Sequence, residues 1–162
     1  MSPASQAPEP GPAALPAAIH ACALILGEAG VLIRGKSGSG KSSLVMALLA
    51  AAPDKGLFAA LVADDRVALR VAGARLLASP HPAIAGMIEQ RGTGILLLKH
   101  EKVARISLLV DLLEAGPEGE GLARMPEAGE GSICLSGVTL RRLILPAGMP
   151  AETAARRVMA IF

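Results

Sequence analysis

The feature that most constrains this chain is the run Gly35-Lys36-Ser37-Gly38-Ser39-Gly40-Lys41-Ser42. It fits G-x-x-x-x-G-K-[ST], a pattern that marks a phosphate-binding loop when a strand feeds it and a helix leaves it. Both neighbours are present. Val31 to Ile33 is an apolar strand running directly into the loop, and Lys41 to Ala52 reads as a helix stopped by Pro53, which cannot continue it. Gly35, Gly38 and Gly40 let successive backbone N–H groups turn toward an anion, and the helix start adds unpaired donors and a positive dipole end. Lys41 has the reach for β- and γ-phosphates, and the Ser42 hydroxyl suits a magnesium ligand. Lys36 adds a cation without an assigned role. These residues read as a site for a nucleoside triphosphate with Mg2+. A glycine-rich surface turn shares the composition but not the flanking strand and helix.

The rest of the chain predicts an α/β fold: a mixed β-sheet containing this P-loop and flanked by helices, not a simple βαβ series. Residues 1–16, rich in Ala, Pro and Gly, read as a disordered tail, and residues 17–162 as one P-loop domain. Strands are expected over residues 19–26, after which Gly27 to Gly30 forms a tight turn, and over Leu57 to Ala63, a continuous apolar run of the kind found in buried central strands. Val67 to Val71 and Ala74 to Ala78 read as a hairpin around Gly73. Ala83 to Glu89 predicts a short helix, Arg91 to Gly94 a turn, and Ile95 to Leu98 and Ala104 to Leu113 further strands. Residues 114–131, rich in Gly, Glu and Pro, read as a mobile functional loop. Strands over Ser132 to Leu135 and Val138 to Leu145 precede a last helix from Ala151 to Ile161.

Composition narrows the function classes. The chain has 162 residues, no Trp or Tyr, and only Phe58 and Phe162 as aromatics, so stacking platforms for single-stranded nucleic acid are missing. Sixteen basic and fourteen acidic residues leave +2, too little for a nucleic-acid or membrane surface. Cys22 and Cys134 both lie in apolar stretches and read as two buried thiols in a reducing compartment. Neither a signal peptide nor an apolar run long enough to span a bilayer is evident, so a cytoplasmic location is expected.

Asp64 and Asp65 end the apolar run at Leu57 to Ala63, where a parallel sheet presents its ligand-binding edge. Adjacent carboxylates repel unless a cation or proton lies between them. One could hold magnesium while the other takes a proton from an attacking hydroxyl; alternatively, Asp65 pairs with Arg66 in a solvated turn.

At this point the sequence resembles the catalytic domain of HPr kinase/phosphorylase, a bacterial serine kinase family acting on the phosphocarrier HPr. The resemblance runs from about His20 to Leu145. It is carried by Gly30-Val-Leu-Ile-Arg-Gly35 leading into the loop, by Leu61-Val-Ala-Asp-Asp-Arg-Val67, and by Ile88-Glu-Gln-Arg-Gly-Thr-Gly-Ile95. It implies a fold of the HPr kinase / phosphoenolpyruvate carboxykinase-like kind and transfer from ATP to a serine of an HPr-like protein. It also implies site residues. His20 matches the family's active-site histidine; without the family it reads as a hydrogen-bonded core residue. Asp64 and Asp65 match an acidic pair containing the general base, with Asp64 favoured as base and Asp65 as metal or water partner. Glu89 matches a magnesium-associated carboxylate, where the residues alone allow a surface ion pair with Arg91. Arg124 matches an arginine near the transferred phosphoryl group, where the residues alone allow an ordinary loop arginine.

Two departures qualify the resemblance. The family's full-length form has a further N-terminal domain, replaced here by the short tail, so the chain reads as an abbreviated, catalytic-domain-only form in which homo-oligomers remain possible. The stretch Pro146-Ala-Gly-Met-Pro-Ala151 lacks the arginine of the corresponding family segment, which argues against phosphorylase activity. A small-molecule kinase shares the loop and size but usually carries a lid with several arginines. A nucleotide-dependent regulatory module without catalysis shares the loop as well.

Overall fold

The computed structural model describes residues 18–114 and 131–162. The tail at residues 1–16, nearly all of the loop expected at 114–131, and Arg124 lie outside the described residues.

Alternation and apolar runs fold into ten strands and two α-helices among the described residues. Strands β1 (Ala18–Leu26) and β2 (Ala29–Gly35) form a hairpin whose tip is Gly27 and Glu28. Helix α1 (Lys41–Ala51) follows the glycine loop, and Pro53 starts a 3-10 turn in place of a further helical turn. Then come β3 (Ala59–Ala63), β4 (Arg66–Ala72) and β5 (Arg75–Pro80). Strands β6 (Met87–Gln90) and β7 (Gly94–Leu97) make a separate two-stranded hairpin. Strands β8 (Ala104–Leu113), β9 (Ser132–Leu135) and β10 (Val138–Pro146) and helix α2 (Ala151–Met159) complete the chain. The fold is therefore mixed α/β, with a sheet and two helices.

The sheet curls on itself. β1 pairs with β2, β2 with β8, β8 with β5, β5 with β4, and β4 again with β1. These pairings close a ring whose interior holds Ala21, Ala23, Ala78, Ala104, Leu32, Leu76 and Leu109. Small side chains suit the narrow interior of so few strands. Closure is tight at Gly30, where a Cβ would lie 2.5 Å from the Arg105 carbonyl oxygen; the missing side chain permits that approach. The opposite face packs against α1 and α2 through Leu24, Leu26, Ile33, Leu44, Leu48, Leu61 and Val110. Burying each of these side chains contributes about 1.5–3 kcal/mol.

Two expectations need correction. The helix expected over Ala83 to Glu89 is a 3-10 turn (Pro82–Ile84) followed by strand β6. Gly86, at φ +76, breaks the helix, and there a Cβ would lie 2.6 Å from His100 Nδ1. Beyond it the side chains alternate, with Ile88 inward and Met87 and Glu89 outward, which is the period of a strand. Cys134 is exposed, not buried, because it sits on the outer face of the edge strand β9. The two helices expected beside the sheet pack together against one of its faces.

The parallel strands β2, β8 and β10 carry a buried charge cluster beside the loop. Arg34 donates to both oxygens of Asp111 at 2.8 and 2.9 Å, and Arg142 Nε donates to Oδ2 at 2.7 Å. Burial pushes the Asp111 carboxyl up, but the two guanidinium groups outweigh it and hold the pKa below the usual carboxylate value. Asp111→Asn should cost about 2–4 kcal/mol at neutral pH, less than a fully buried pair because both arginines keep some solvent contact. The folded pKa lies below the unfolded value of about 3.9. The stabilisation is thus present above that value and lost as pH falls through the folded one. Denaturant unfolding at pH 7 and near pH 3 should show the gap between the two proteins narrowing in acid.

Candidate active site

The loop closes over its own backbone. The Ser39 amide donates to Lys36 O at 3.1 Å, and Gly38 and Gly40 take φ of +81 and +101, a region that glycine enters without strain. At Gly35 a Cβ would collide with Ser39 Oγ. The first intrahelical bond of α1 is Leu44 N–H to Gly40 O at 2.9 Å, so the N–H groups of Lys41, Ser42 and Ser43 lack carbonyl partners within the helix. From behind, the Gly148 amide donates to Ser39 O at 3.2 Å. The turn after β10 thereby supports the loop. Lys36 pairs with Glu114 at 2.8 Å on the surface.

In front of the loop lies a polar cleft of about 450 Å³, lined by His20, Ser37, Gly38, Lys41, Ser42, Asp64, Asp65, Glu89 and Arg91 among others. Of the residues expected at the site, Gly35, Lys36 and Ser39 do not line the cleft and instead shape the loop behind it. Arg124 is not among the described residues.

The two adjacent aspartates occupy different environments. Asp64 is buried. Its Oδ1 accepts Ser42 Oγ–H at 2.8 Å and the Cys22 thiol at 2.9 Å, and its Oδ2 accepts the Glu89 amide at 3.1 Å. Asp65 has φ +64, and the Arg66 amide donates across it to Asp64 O at 2.7 Å. This is the rarer positive-φ form of the γ-turn. It swings the Asp65 side chain out, 65% exposed, to meet His20 Nδ1 at 2.7 Å. Asp65 has no ion pair with Arg66.

His20 joins the two halves of the site. Its Nε2 lies 3.0 Å from Lys41 Nζ, which also donates to the carbonyls of Gly35 (2.9 Å) and Lys36 (3.1 Å). An ammonium group has no lone pair, so Nε2 accepts and Nδ1–H is left to donate to Asp65. The result is a chain from Lys41 through His20 to Asp65.

Two residues here were not singled out from the sequence for a role. Cys22 reaches Asp64 because the antiparallel pairing Ala23↔Ala63 brings residues 22 and 64 alongside. Arg91 makes no ion pair with Glu89 among the described residues; its guanidinium crosses the loop, with Nη2 3.2 Å from the position of a Cβ on Gly38. A glycine-bearing turn beside an expected metal carboxylate was the available signal for Arg91. For Cys22 there was none short of the strand register.

Mg2+ is usually held by one or two carboxylates together with substrate phosphates. Ser42, Asp64 and Glu89 meet at the loop's helix end and provide such a partial set.

The family model "HPr Serine kinase C-terminal domain" matches residues 13–154. An HPr kinase/phosphorylase of Mycoplasma mycoides subsp. mycoides is 38% identical over 76 residues, 47% of this chain and 22% of that protein. One from Neisseria meningitidis is 36% identical over 107 residues, 61% of this chain and 32% of that protein. The chain thus spans about a third or less of these relatives' length. The structure of the Hpr(Ser) kinase/phosphatase from Coxiella burnetii superposes with a TM-score of 0.63 at 23% identity, covering 90% of this chain and 99% of that one, a likeness of fold. With a family model spanning most of its length, the chain belongs to the HPr serine kinase C-terminal domain family.

Proposed function

We propose that the domain is an ATP- and magnesium-dependent protein-serine kinase acting on an HPr-like phosphocarrier protein. The observation that carries this reading is the convergence of the glycine loop, Lys41, Ser42, Asp64, Asp65 and His20 on one cleft, within a chain of this family.

The triphosphate lies against the unpaired amides at the start of α1, with Lys41 turning from the Gly35 and Lys36 carbonyls toward the β- and γ-phosphates. Ser42 and Asp64 would hold a magnesium ion, which would offset the charge of the phosphates. Asp64 is best suited to that side of the cleft: it already orients the Ser42 hydroxyl, and three donors hold it in place. Asp65 is exposed, projects into the cleft, and keeps one oxygen clear of His20. It therefore serves as the base that accepts the seryl proton, and His20 holds it in place. These roles exchange the two carboxylates relative to the sequence expectation. Glu89, whose amide fixes Asp64, adds negative charge on the metal side. Arg91, beside the loop, and Arg124 are the cations suited to spread charge on the transferring group.

Transfer from γ-labelled ATP, with HPr-like proteins and small metabolites offered in parallel, tests the reading. Label on a protein serine is expected. Label on a metabolite would instead indicate a small-molecule kinase, and tight MgATP binding without transfer a regulatory module. Addition of inorganic phosphate after transfer should release little label, because the Pro146 to Ala151 stretch lacks the arginine that the family's phosphorolysis segment carries.

A further inference from the structure

Cys22 lies on β1 behind the cleft, fully buried in the core beneath the helices. Its thiol offers one weak S–H donor. The acceptor is Asp64 Oδ1 at 2.9 Å, the oxygen that also receives the Ser42 hydroxyl at 2.8 Å.

A carboxylate offers about four lone-pair positions, and its last torsion is broad. Ser42 alone would leave Asp64 free to rock about that torsion. The Glu89 amide on Oδ2 (3.1 Å) and the thiol on Oδ1 fix it from two further sides, leaving one position on Oδ2 without a donor. A cysteine acting only as a small hydrophobe would need no acceptor, and this one meets the single carboxylate that also holds Ser42.

The geometry points to Cys22 as a positioning residue whose S–H fixes Asp64, and through it the Ser42 hydroxyl, in the arrangement that holds magnesium against the triphosphate. This rests on the function proposed above. It places a determinant of metal affinity in the core behind the cleft.

The test is calorimetric titration of ATP into the full chain, in EDTA and across a magnesium series, for wild type, Cys22→Val, Cys22→Ala and Cys22→Ser. Melting temperatures establish that each protein is folded. Binding in EDTA should be alike in all four. Val and Ala should raise the magnesium concentration for half-maximal binding by about tenfold, as loss of outer partners to metal ligands does, while Ser, which keeps a donor, stays within about twofold of wild type. Val nearly matches Cys in volume. If Cys22 only fills space, Val would behave as wild type and polar Ser would be the damaging change; that ordering overturns the inference, as does a Ser protein as impaired as Val. Should Val not fold, Ala carries the same comparison. A wild type without magnesium-dependent ATP binding overturns the proposed function along with the inference. A wild type that binds, with Val and Ala unchanged, overturns the role of Cys22 alone.

Discussion

Replacing Asp65 by Asn should lower the phosphotransfer rate by about 10²–10⁴-fold, the range spanned by positioned general bases, with MgATP affinity changed by no more than about twofold. Asn is the suitable probe. It tolerates the left-handed conformation that Asp65 adopts at φ +64 better than other neutral residues, and its amide oxygen can still accept from His20 Nδ1. What it cannot do is take up a proton. Asp64→Asn is predicted to fail differently. One amide oxygen cannot satisfy donors that now reach both carboxylate oxygens, so the loss should appear first as a raised magnesium requirement. Steady-state kinetics over a magnesium series separates the two. A near-normal Asp65→Asn beside an Asp64→Asn protein with unchanged magnesium dependence and no transfer would return the base to Asp64.

Lys41→Ala should reduce transfer by about 10²–10³-fold, or about 2.7–4 kcal/mol of transition-state stabilisation, the loss typical of removing one preorganised donor. The fold should survive. Nζ bonds two loop carbonyls and His20, all beside a cleft where water can replace it. Circular dichroism and a melting curve check the fold, and single-turnover transfer checks the chemistry. Because His20 would lose its Nε2 donor, the His20–Asp65 contact loosens as well, so a double variant with Asp65→Asn should lose less than the sum of the two.

The glycine loop and the strands around it were legible in the sequence because each rests on a local cause. The pattern at residues 35–42 has one steric purpose, and Ala104 to Leu113 is apolar at seven of its ten positions, which suits a central strand; β8 spans those residues. What sequence reading missed depends on contacts distant along the chain. Ring closure relies on β2 pairing with β8, which no local period encodes. The helix expected before Glu89 failed because apolar residues around Ile88 fit either period, and Gly86 decided between them. The acidic pair was visible, but its division was not: a γ-turn across Asp65 sends one carboxylate inward and one outward. The Cys22–Asp64 contact likewise follows from the register of β1 on β3.

In the proposed mechanism, amides at the start of α1, with Lys41 and Ser42, hold a magnesium-bound triphosphate beside Asp64 and Asp65. Titration calorimetry of ATP into the folded chain, with and without magnesium, tests it most directly. Saturable binding at one site per chain, tightened by magnesium and weakened by Lys41→Ala, is the predicted result. No heat of binding from ATP or GTP at any magnesium concentration would contradict it.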